Sequence, residues 1–447
     1  MQNRDGTSKN KVFIVLGLLI VIGLIALYLF FAESEKAHIS LAPDRKFITS
    51  HTKFSFQGTD RDSGLDLVSI QILQDGKKEE IFRRKFKKQV KRIEKDFELQ
   101  EYDLKDGSLS ISIKVRDKSW NNWFKGNLAK ERFDYNLDTR PPDITLKSYR
   151  HNLEVGGSGL VAFKVSEPVQ KIGVKAQDYF FPAYSPPEKD MYLCFFSYPY
   201  DLSRKEGRLL IKAVDRAGNE KKTGFNYYVD GSKFKKTKIQ ITPRFLKRKM
   251  PAFQEFFPDT SDDLQLFLKV NRKLREKNRK KLLEIGKNTE KSILWSGDFV
   301  RLPNSAQSSS FGTYRTYYYQ GEKIDKQRHL GVDLASVQGA EVPAANAGKV
   351  VYTGWLGIFG QVVIIDHGFG VQSLYAHLSS IKVEKGEKVD KKEIIANTGT
   401  TGLAGGDHLH FSLFVSGIPV SIVEWWDSSW IDNNILPKLE LVKKQGE

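Results

Sequence analysis

The 447-residue sequence predicts a multidomain, mainly β chain: an N-terminal transmembrane helix, two tandem β-sandwiches, a helical connector and a C-terminal β domain. Three observations predict it. A 21-residue uncharged apolar run lies near the start, two stretches of short alternating apolar runs end alike 98 residues apart, and a glycine-punctuated strand-rich segment follows one basic helical stretch. At roughly 100–200 residues per domain, this length calls for two to four folded units.

The apolar run is "VFIVLGLLIVIGLIALYLFFA", residues 12–32. It is long enough for a bilayer core of about 30 Å and longer than the roughly 7–15 residues of a signal-peptide core, and no A-x-A site follows it. Soluble helices rarely run this far without a polar face, so the run reads as an uncleaved anchor. Arg4, Lys9 and Lys11 precede it against the single acid Asp5. The positive-inside rule then keeps residues 1–11 cytoplasmic and places the chain from Glu33 onward outside the membrane, periplasmic or extracytoplasmic.

Net charge is +17, unevenly distributed. From His329 to Glu447 there are 9 Lys+Arg and 13 Asp+Glu, a balance of −4, against +21 in the first 328 residues. The basic stretches "RRKFKKQVKR" (83–92), "KFKKTK" (233–238) and "RFLKRK" (244–249) are expected as solvated faces, with anionic polymers or headgroups as the alternative. No nucleic-acid-binding motif accompanies them, and nucleic acid is not an expected partner. The single cysteine, Cys194, excludes an intrachain disulfide and sits among apolar neighbours as an inert thiol.

After the anchor, "TKFSFQG", "LVSIQIL" and "SLSISIKV" alternate like strands, as do "LVAFKVS", "KIGVKA" and "GRLLIKAV". The stretches close on "IKVRDKSWNN" and "IKAVDRAGNE", with Asp117 and Asp215, and Asn121 and Asn219, in register. A 98-residue spacing suits one sandwich. Pro141 and Pro142 cannot donate to a ladder and punctuate the two. The units are placed at 38–138 and 141–240. The junction and its turns resemble those of tandem immunoglobulin-like domains of exported bacterial proteins, a likeness that speaks to fold.

From about Phe253 the pattern turns helical. Thr260 or Ser261 is the expected N-cap, Asp262 and Asp263 occupy the first turn, and Leu264, Leu268, Leu274 and Leu282 follow before a stop near Gly286. The connector is placed at 250–290.

The chemistry lies beyond it. In "GGDHLHFSLF" the residues are strand-like, so side chains alternate: His408, His410 and Ser412 share one face, and Leu409, Phe411 and Leu413 form the other. A catalytic zinc commonly has three protein ligands and an open position. His329 and Asp333 offer an imidazole and a carboxylate four residues apart, and one histidine of the pair completes the set while its neighbour faces the reacting water. Zinc lowers the pKa of water from about 15.7 to about 7 and polarises a carbonyl, and a nearby neutral histidine passes the proton to a leaving amine. Acyl-bond hydrolysis is the expected reaction.

These residues resemble the peptidase M23 family of lysostaphin-like, LytM-type zinc endopeptidases over residues 296–423. The likeness rests on H-x-x-x-D (His329, Asp333), Y-x-H-L (Tyr375, His377, Leu378) and H-L-H (His408, Leu409, His410), with the filler "GVDLA", "VVIIDHG" and "GTTGLAGGDHLHF" and the lead-in "FGTYR" (311–315). The resemblance implies one zinc per chain held by His329, Asp333 and His410, with His408 as general base. His377 would orient the water or stabilise the oxyanion. It also implies a groove floored by an antiparallel β-sheet, and peptide bonds of bacterial peptidoglycan as substrate. The peptidase domain is placed at 292–436, with a tail at 437–447.

His367 is expected as a groove or structural residue, and Tyr317, Tyr318 and Tyr319 as a strand packed on its neighbours, with lining of the groove as the alternative. Partners are then the peptidoglycan peptide, the cytoplasmic membrane through the helix, and envelope proteins through the sandwiches. The rival readings are a catalytically latent regulator that activates other wall hydrolases, or a scaffold of an envelope complex. Residues 239–328 exceed what a linker needs and are expected to restrain the groove or supply a fourth ligand, Asn304 being one candidate. The bond cleaved is left open.

Overall fold

A computed structural model describes residues 6–32, 35–186, 191–205, 207–231 and 234–443. Arg4 and Asp5 of the N-terminal charge pattern, Glu33, Lys233 and the last four residues of the tail lie outside them. The helix Gly6–Phe31 contains one window, residues 11–28, long and apolar enough to cross a membrane by length and composition. Its 26 residues extend about 39 Å. The apolar side chains of that window point outward on every side, as a lipid-facing helix requires.

The remaining chain is mainly β and divides into two compact units, Met1–Pro141 with Asp215–Asn219, and Pro142–Val214 with Glu220–Glu447. In the first, the strands His38–Ala42, Phe54–Thr59 and Arg92–Phe97 form one sheet. A five-stranded sheet runs Phe47–Ile48, Leu128–Leu137, Gly107–Asp117, Leu65–Gln74, Lys77–Lys85. Phe54, Phe56, Val68, Ile70, Ile111 and Ile113 meet in one core between them. Part of the first basic stretch falls on Lys77–Lys85, an edge strand, where charges discourage pairing with another chain. Asp117 Oδ1 accepts from the Ser119 and Asn127 amides, and Asp215 Oδ1 from those of Gly218 and Asn219. Both in-register aspartates thus tie down the chain after their strand, Asp117 by bonds two and ten residues on and Asp215 by bonds three and four residues on.

In the second unit a sheet of Met191–Ser197, Ser158–Val165 and Ile144–Leu146 faces a sheet of Tyr179–Pro182, Val169–Ala176, Leu209–Asp215 and Glu220–Gly224. Their core runs without a break into that of the C-terminal domain. Phe195, Trp295, Phe299 and Trp425 form one ring cluster with centroids 5.2–6.3 Å apart. The buried Trp425 indole donates to Ser158 Oγ at 2.8 Å. A spacer bead would not share a core, so these two β layers form one structural body.

The connector is tied in as well. The strand Lys236–Ile241 pairs in parallel with Tyr314–Tyr319, which pairs antiparallel with Glu322–Arg328. The helical segment starts at Asp263 with Asp262 as N-cap, its carboxylate accepting from the Gln265 amide, rather than with Thr260 or Ser261. Thr260 is buried and its hydroxyl accepts from Lys269 Nζ, which removes it from the capping position. A π-turn, Val270–Leu274, then interrupts the α-helix before Arg275–Gly286. The extra residue rotates the buried face, so Leu266, Phe267, Val270 and Leu274 pack on one core and Leu282 on another.

The C-terminal sheet runs Ala306–Ser309, Val332–Ala335, Leu409–Val415, Val371–Leu378, Gln361–Gly368, Gly348–Trp355, Lys388–Val389, with Ile418–Val420 also on Leu409–Val415. Its pairings are antiparallel. Leu409, Phe411 and Leu413 are buried in the core and His408 and His410 line a cleft, as strand alternation predicts.

Candidate metal centre and active site

Sheet register assembles the site. Asp333 lies opposite His410 on one side, Ala376 lies opposite His410 on the other, and His377 follows Ala376. An isolated bridge between Gly399 and His408 carries the glycine-rich loop onto the same strand. Between His329 and Asp333 the backbone passes so close to the partner strand that a Cβ at Gly331 would sit 2.4 Å from Ser412 Oγ and 2.6 Å from the Phe411 carbonyl. Glycine is required there.

His329, Asp333 and His410 are buried and each offers one ligand atom to a common point. His329 Nε2 and His410 Nδ1 are both 2.9 Å from Asp333 Oδ1 and 3.0 Å from each other. Ligands about 2.0–2.2 Å from a tetrahedral metal are about 3.3 Å apart, close to these separations.

Hydrogen bonds behind the rings fix the tautomers. His329 Nδ1 faces the Ser310 carbonyl at 3.1 Å, which can only accept, so Nδ1 carries the proton and Nε2 is bare. Ser412 Oγ gives its proton to the Leu330 carbonyl at 2.9 Å and so accepts from His410 Nε2 at 3.0 Å, leaving His410 Nδ1 bare. Three lone pairs thus converge with no proton between them, a donor set that fits a divalent cation.

Arg315 completes the support. It donates at 2.6 Å to Asp333 Oδ2, the oxygen turned away from the histidines, and at 2.8 Å to Ser309 Oγ. Burial alone would raise the Asp333 carboxyl, but His329, with His408 and His410, holds it well below the usual carboxylate range whenever those rings carry a proton toward it. Burial pushes His329 down and His410 down to about 4, so both rings are neutral near pH 7.

His408 Nδ1 donates to the Gly406 carbonyl at 2.9 Å, leaving Nε2 facing Asp333 Oδ1 at 3.6 Å. Burial pushes this histidine down, yet the Asp333 carboxylate more than offsets it and His408 is raised, alone among the four. His377 sits at φ 66°, a strained left-handed conformation for a non-glycine residue, with Nδ1 donating to the Thr401 carbonyl at 2.9 Å. Burial, then the neighbouring His408 and His410, hold it well below its ordinary value. Its ring centroid is 4.9 Å from that of His408.

The cleft is about 330 Å³. Besides the histidines it is lined by Ile241, Phe245 and Phe267 of the upstream segment, by Tyr317, and by Leu403 and Ala404 of the glycine-rich loop. Arg248 donates to the Gly405 carbonyl at 2.8 Å and Lys249 to that of Thr400, so the helix Pro243–Lys249 is latched to that loop. Asn304 is exposed in a turn at φ 50°, accepts from Ser336 Oγ through its carbonyl and does not line the cleft. His367 is buried and structural, bonded to the Ala347 carbonyl at 2.7 Å and Ser373 Oγ at 2.8 Å. Arg315 was legible only as part of a lead-in, and the carbonyls that orient the rings carry no residue-type signal.

Fold and site define a domain with a histidine–carboxylate metal-type cluster on an antiparallel sheet. Residues 327–422 match the model of peptidase family M23, and the chain carries a peptidase M23 domain at its C-terminus. The chain is 40% identical over 95 residues to the DD-carboxypeptidase/endopeptidase Mpg of Neisseria meningitidis serogroup B, covering 21% of this chain and 22% of that protein. It is 40% identical over 96 residues to the peptidoglycan DD-endopeptidase ShyA of Vibrio cholerae serotype O1, 22% of each. It is 32% identical over 111 residues to the murein hydrolase activator EnvC of Escherichia coli, 25% of this chain and 26% of that protein. The chain spans about a quarter or less of the length of these relatives.

Proposed function

We propose that this protein is a membrane-anchored, zinc-dependent endopeptidase that hydrolyses peptide bonds of bacterial peptidoglycan. The observation that carries the reading is the convergence of His329 Nε2, Asp333 Oδ1 and His410 Nδ1, all proton-free and about 3 Å apart, beside two further histidines in one cleft. The names of the Neisseria and Vibrio relatives support the substrate class. The anchor is residues 12–32, with the chain beyond it periplasmic or extracytoplasmic. The two immunoglobulin-like sandwiches span 38–138 and 141–240, the connector 250–290 and the peptidase domain 292–436. The sandwiches are the surfaces offered to envelope partners.

In this reading His329, Asp333 and His410 hold the zinc, and Arg315 fixes the carboxylate so that one oxygen faces it. Bound zinc supplies a Lewis acid that polarises the scissile carbonyl and acidifies water. His408 takes the proton of the attacking water on Nε2 as the water oxygen adds to the carbonyl carbon, then gives that proton to the amide nitrogen, which leaves as the amine when the C–N bond breaks and the carboxylate forms. With Nδ1 donating to the Gly406 carbonyl, its Nε2 is the nitrogen turned into the cleft and free to carry that proton. His377, with its proton committed to Thr401, presents a bare Nε2, which accepts a hydrogen bond from water and does not donate to an oxyanion. It therefore orients the water.

Purified peptidoglycan incubated with the zinc-loaded chain is expected to yield new peptide termini by mass spectrometry. The His408→Ala chain is expected to yield none, and identical digests from both would refute the assignment.

A second reading, a latent regulator that activates other wall hydrolases, draws on the similarity to EnvC and on the cleft being walled by the chain's own Phe245 and Phe267. It predicts that the His408→Ala chain still stimulates a separate hydrolase.

A further inference from the structure

A second cavity, of about 310 Å³, adjoins the metal-type cleft: Arg275, His329, Phe359 and His410 line both. Its far wall comes from the second sandwich, through Tyr179, Tyr200 and Asp201, and its near wall from the helix Arg275–Gly286. Its charge is lopsided. Arg275, Arg279 and Arg328 face one acid, Asp201, whose carboxylate accepts from the Tyr179 hydroxyl at 2.7 Å.

The three arginines are not equivalent. Arg328 is a strut: it donates to the Tyr200 carbonyl and the Tyr314 hydroxyl and lies over the rings of Tyr314, Phe234 and Tyr200 at 4.1, 4.6 and 5.2 Å. Arg275 donates from Nε and one terminal nitrogen to Asn271, whose amide in turn donates to Asp325, so its nearest acid reaches it only by relay. The Arg279 side chain has no hydrogen bond or ion pair among the described residues. Arg275 and Arg279 are one helical turn apart, on the same face.

A like-charged pair on one face of a helix costs stability, and both guanidinium side chains are half-buried at the cavity wall. Burial, with Arg279 contributing, pushes Arg275 below its ordinary value. Among the described residues the Arg279 side chain has an acid, Glu276, within electrostatic reach on its own helix, but no hydrogen bond occupies its fork. A planar guanidinium pairs with a carboxylate in a fork of two hydrogen bonds, and the cavity's remaining walls, Leu282, Leu283, Phe414 and Ile418, suit the body of a peptide. The volume is at the lower end for a small-ligand site.

We propose that this cavity is a carboxylate subsite, in which Arg279 and Arg275 bind the free C-terminal carboxylate of the peptide whose scissile bond lies at the His329–Asp333–His410 cluster. The inference rests on the peptidase reading and deepens it, because residues outside the M23 match, on the connector helix and second sandwich, would set the preference for peptides with a free end.

The test is binding, measured separately from cleavage. The zinc-loaded full-length His408→Ala chain in detergent is titrated by calorimetry with diacetyl-L-Lys-D-Ala-D-Ala, whose only carboxylate is C-terminal, and with its C-terminal amide. The acid is expected to bind about 10- to 100-fold more tightly than the amide, the worth of a charge-assisted hydrogen bond. Adding Arg279→Gln is expected to bring the two within about twofold, and Arg279→Lys to retain part of the difference. Equal affinity for acid and amide, a preference that survives Arg279→Gln, or no binding of either peptide would each overturn the proposal. A preserved preference in a chain whose wild type cleaves no peptidoglycan would overturn the peptidase reading and leave the subsite standing.

Discussion

Arg315 donates a 2.6 Å hydrogen bond to one oxygen of Asp333 while the other oxygen of that carboxylate faces His329 and His410 at 2.9 Å. The carboxylate is thereby turned and charged in one orientation, and the proposed ligand set depends on a residue that touches no metal. Arg315→Met is expected to lower zinc affinity by about 10- to 100-fold, measured by chelator competition, with the fold intact by circular dichroism. Unchanged affinity would show that Asp333 holds its orientation without the arginine.

The latch between Arg248 and the Gly405 carbonyl holds the helix Pro243–Lys249 against the loop that carries His408. One hydrogen bond contributes about 0.5–1.5 kcal/mol, enough to raise the population of an opened cleft about 2- to 10-fold. Arg248→Ala is expected to raise turnover of polymeric peptidoglycan by that order while leaving a short soluble peptide little affected. A point change is preferable to deleting the segment, because Ile241, Phe253 and Phe267 share a core with Tyr317. An identical effect on both substrates would argue against a gate.

Glu424 gives a pH signature. Burial pushes its carboxyl up to about 8, against an ordinary 4.5, although the Ser158 amide donates to it at 3.3 Å. The unfolded chain releases this proton first, so folding takes up a proton between those two values. The stability this group contributes is complete below about pH 4.5 and is lost as pH rises through about 8. Glu424→Gln is expected to flatten the fall in melting temperature across that window, and to stabilise the protein most at its alkaline end. An unchanged pH profile would contradict the assignment.

Trp425 joins the second sandwich to the peptidase sheet through Phe195, Phe299 and its bond to Ser158. Trp425→Ala is expected to cost about 3–5 kcal/mol. Hydrogen exchange should then show lost protection in both Ser158–Val165 and Leu409–Val415. Loss in one strand alone would mean that the shared core is not one cooperative unit.

What was legible in the sequence was local. Alternation in "HLHF" placed His408 and His410 on one face because the strand period is two whatever the surroundings. The H-x-x-x-D spacing marked His329 and Asp333 as a candidate pair, but the bend at Gly331 and the sheet register bring them together. What was not legible came from distance or from backbone. The carbonyls of Ser310, Thr401 and Gly406, which set the tautomers, look like any others in a sequence. Arg279 lies 50 residues before His329, on the helix that follows the π-turn, and lines a cavity that His329 also lines. The leucines fall where helical spacing puts them, Leu264, Leu268 and Leu274 on one core and Leu282 on another, while Asp262 caps the helix in place of Thr260, whose hydroxyl accepts from Lys269. A repeat of β-runs indicated two sandwiches, but nothing in it said that the second would share a core with Trp425.

The central claim is that His329, Asp333 and His410 form a zinc site with His408 outside it. The most direct test is the zinc content of the purified wild-type, His410→Ala and His408→Ala chains by mass spectrometry after dialysis against trace zinc. About one zinc per chain is expected in the wild type and in His408→Ala, and essentially none in His410→Ala. A wild type without zinc, or a His410→Ala chain that keeps it, would contradict the account.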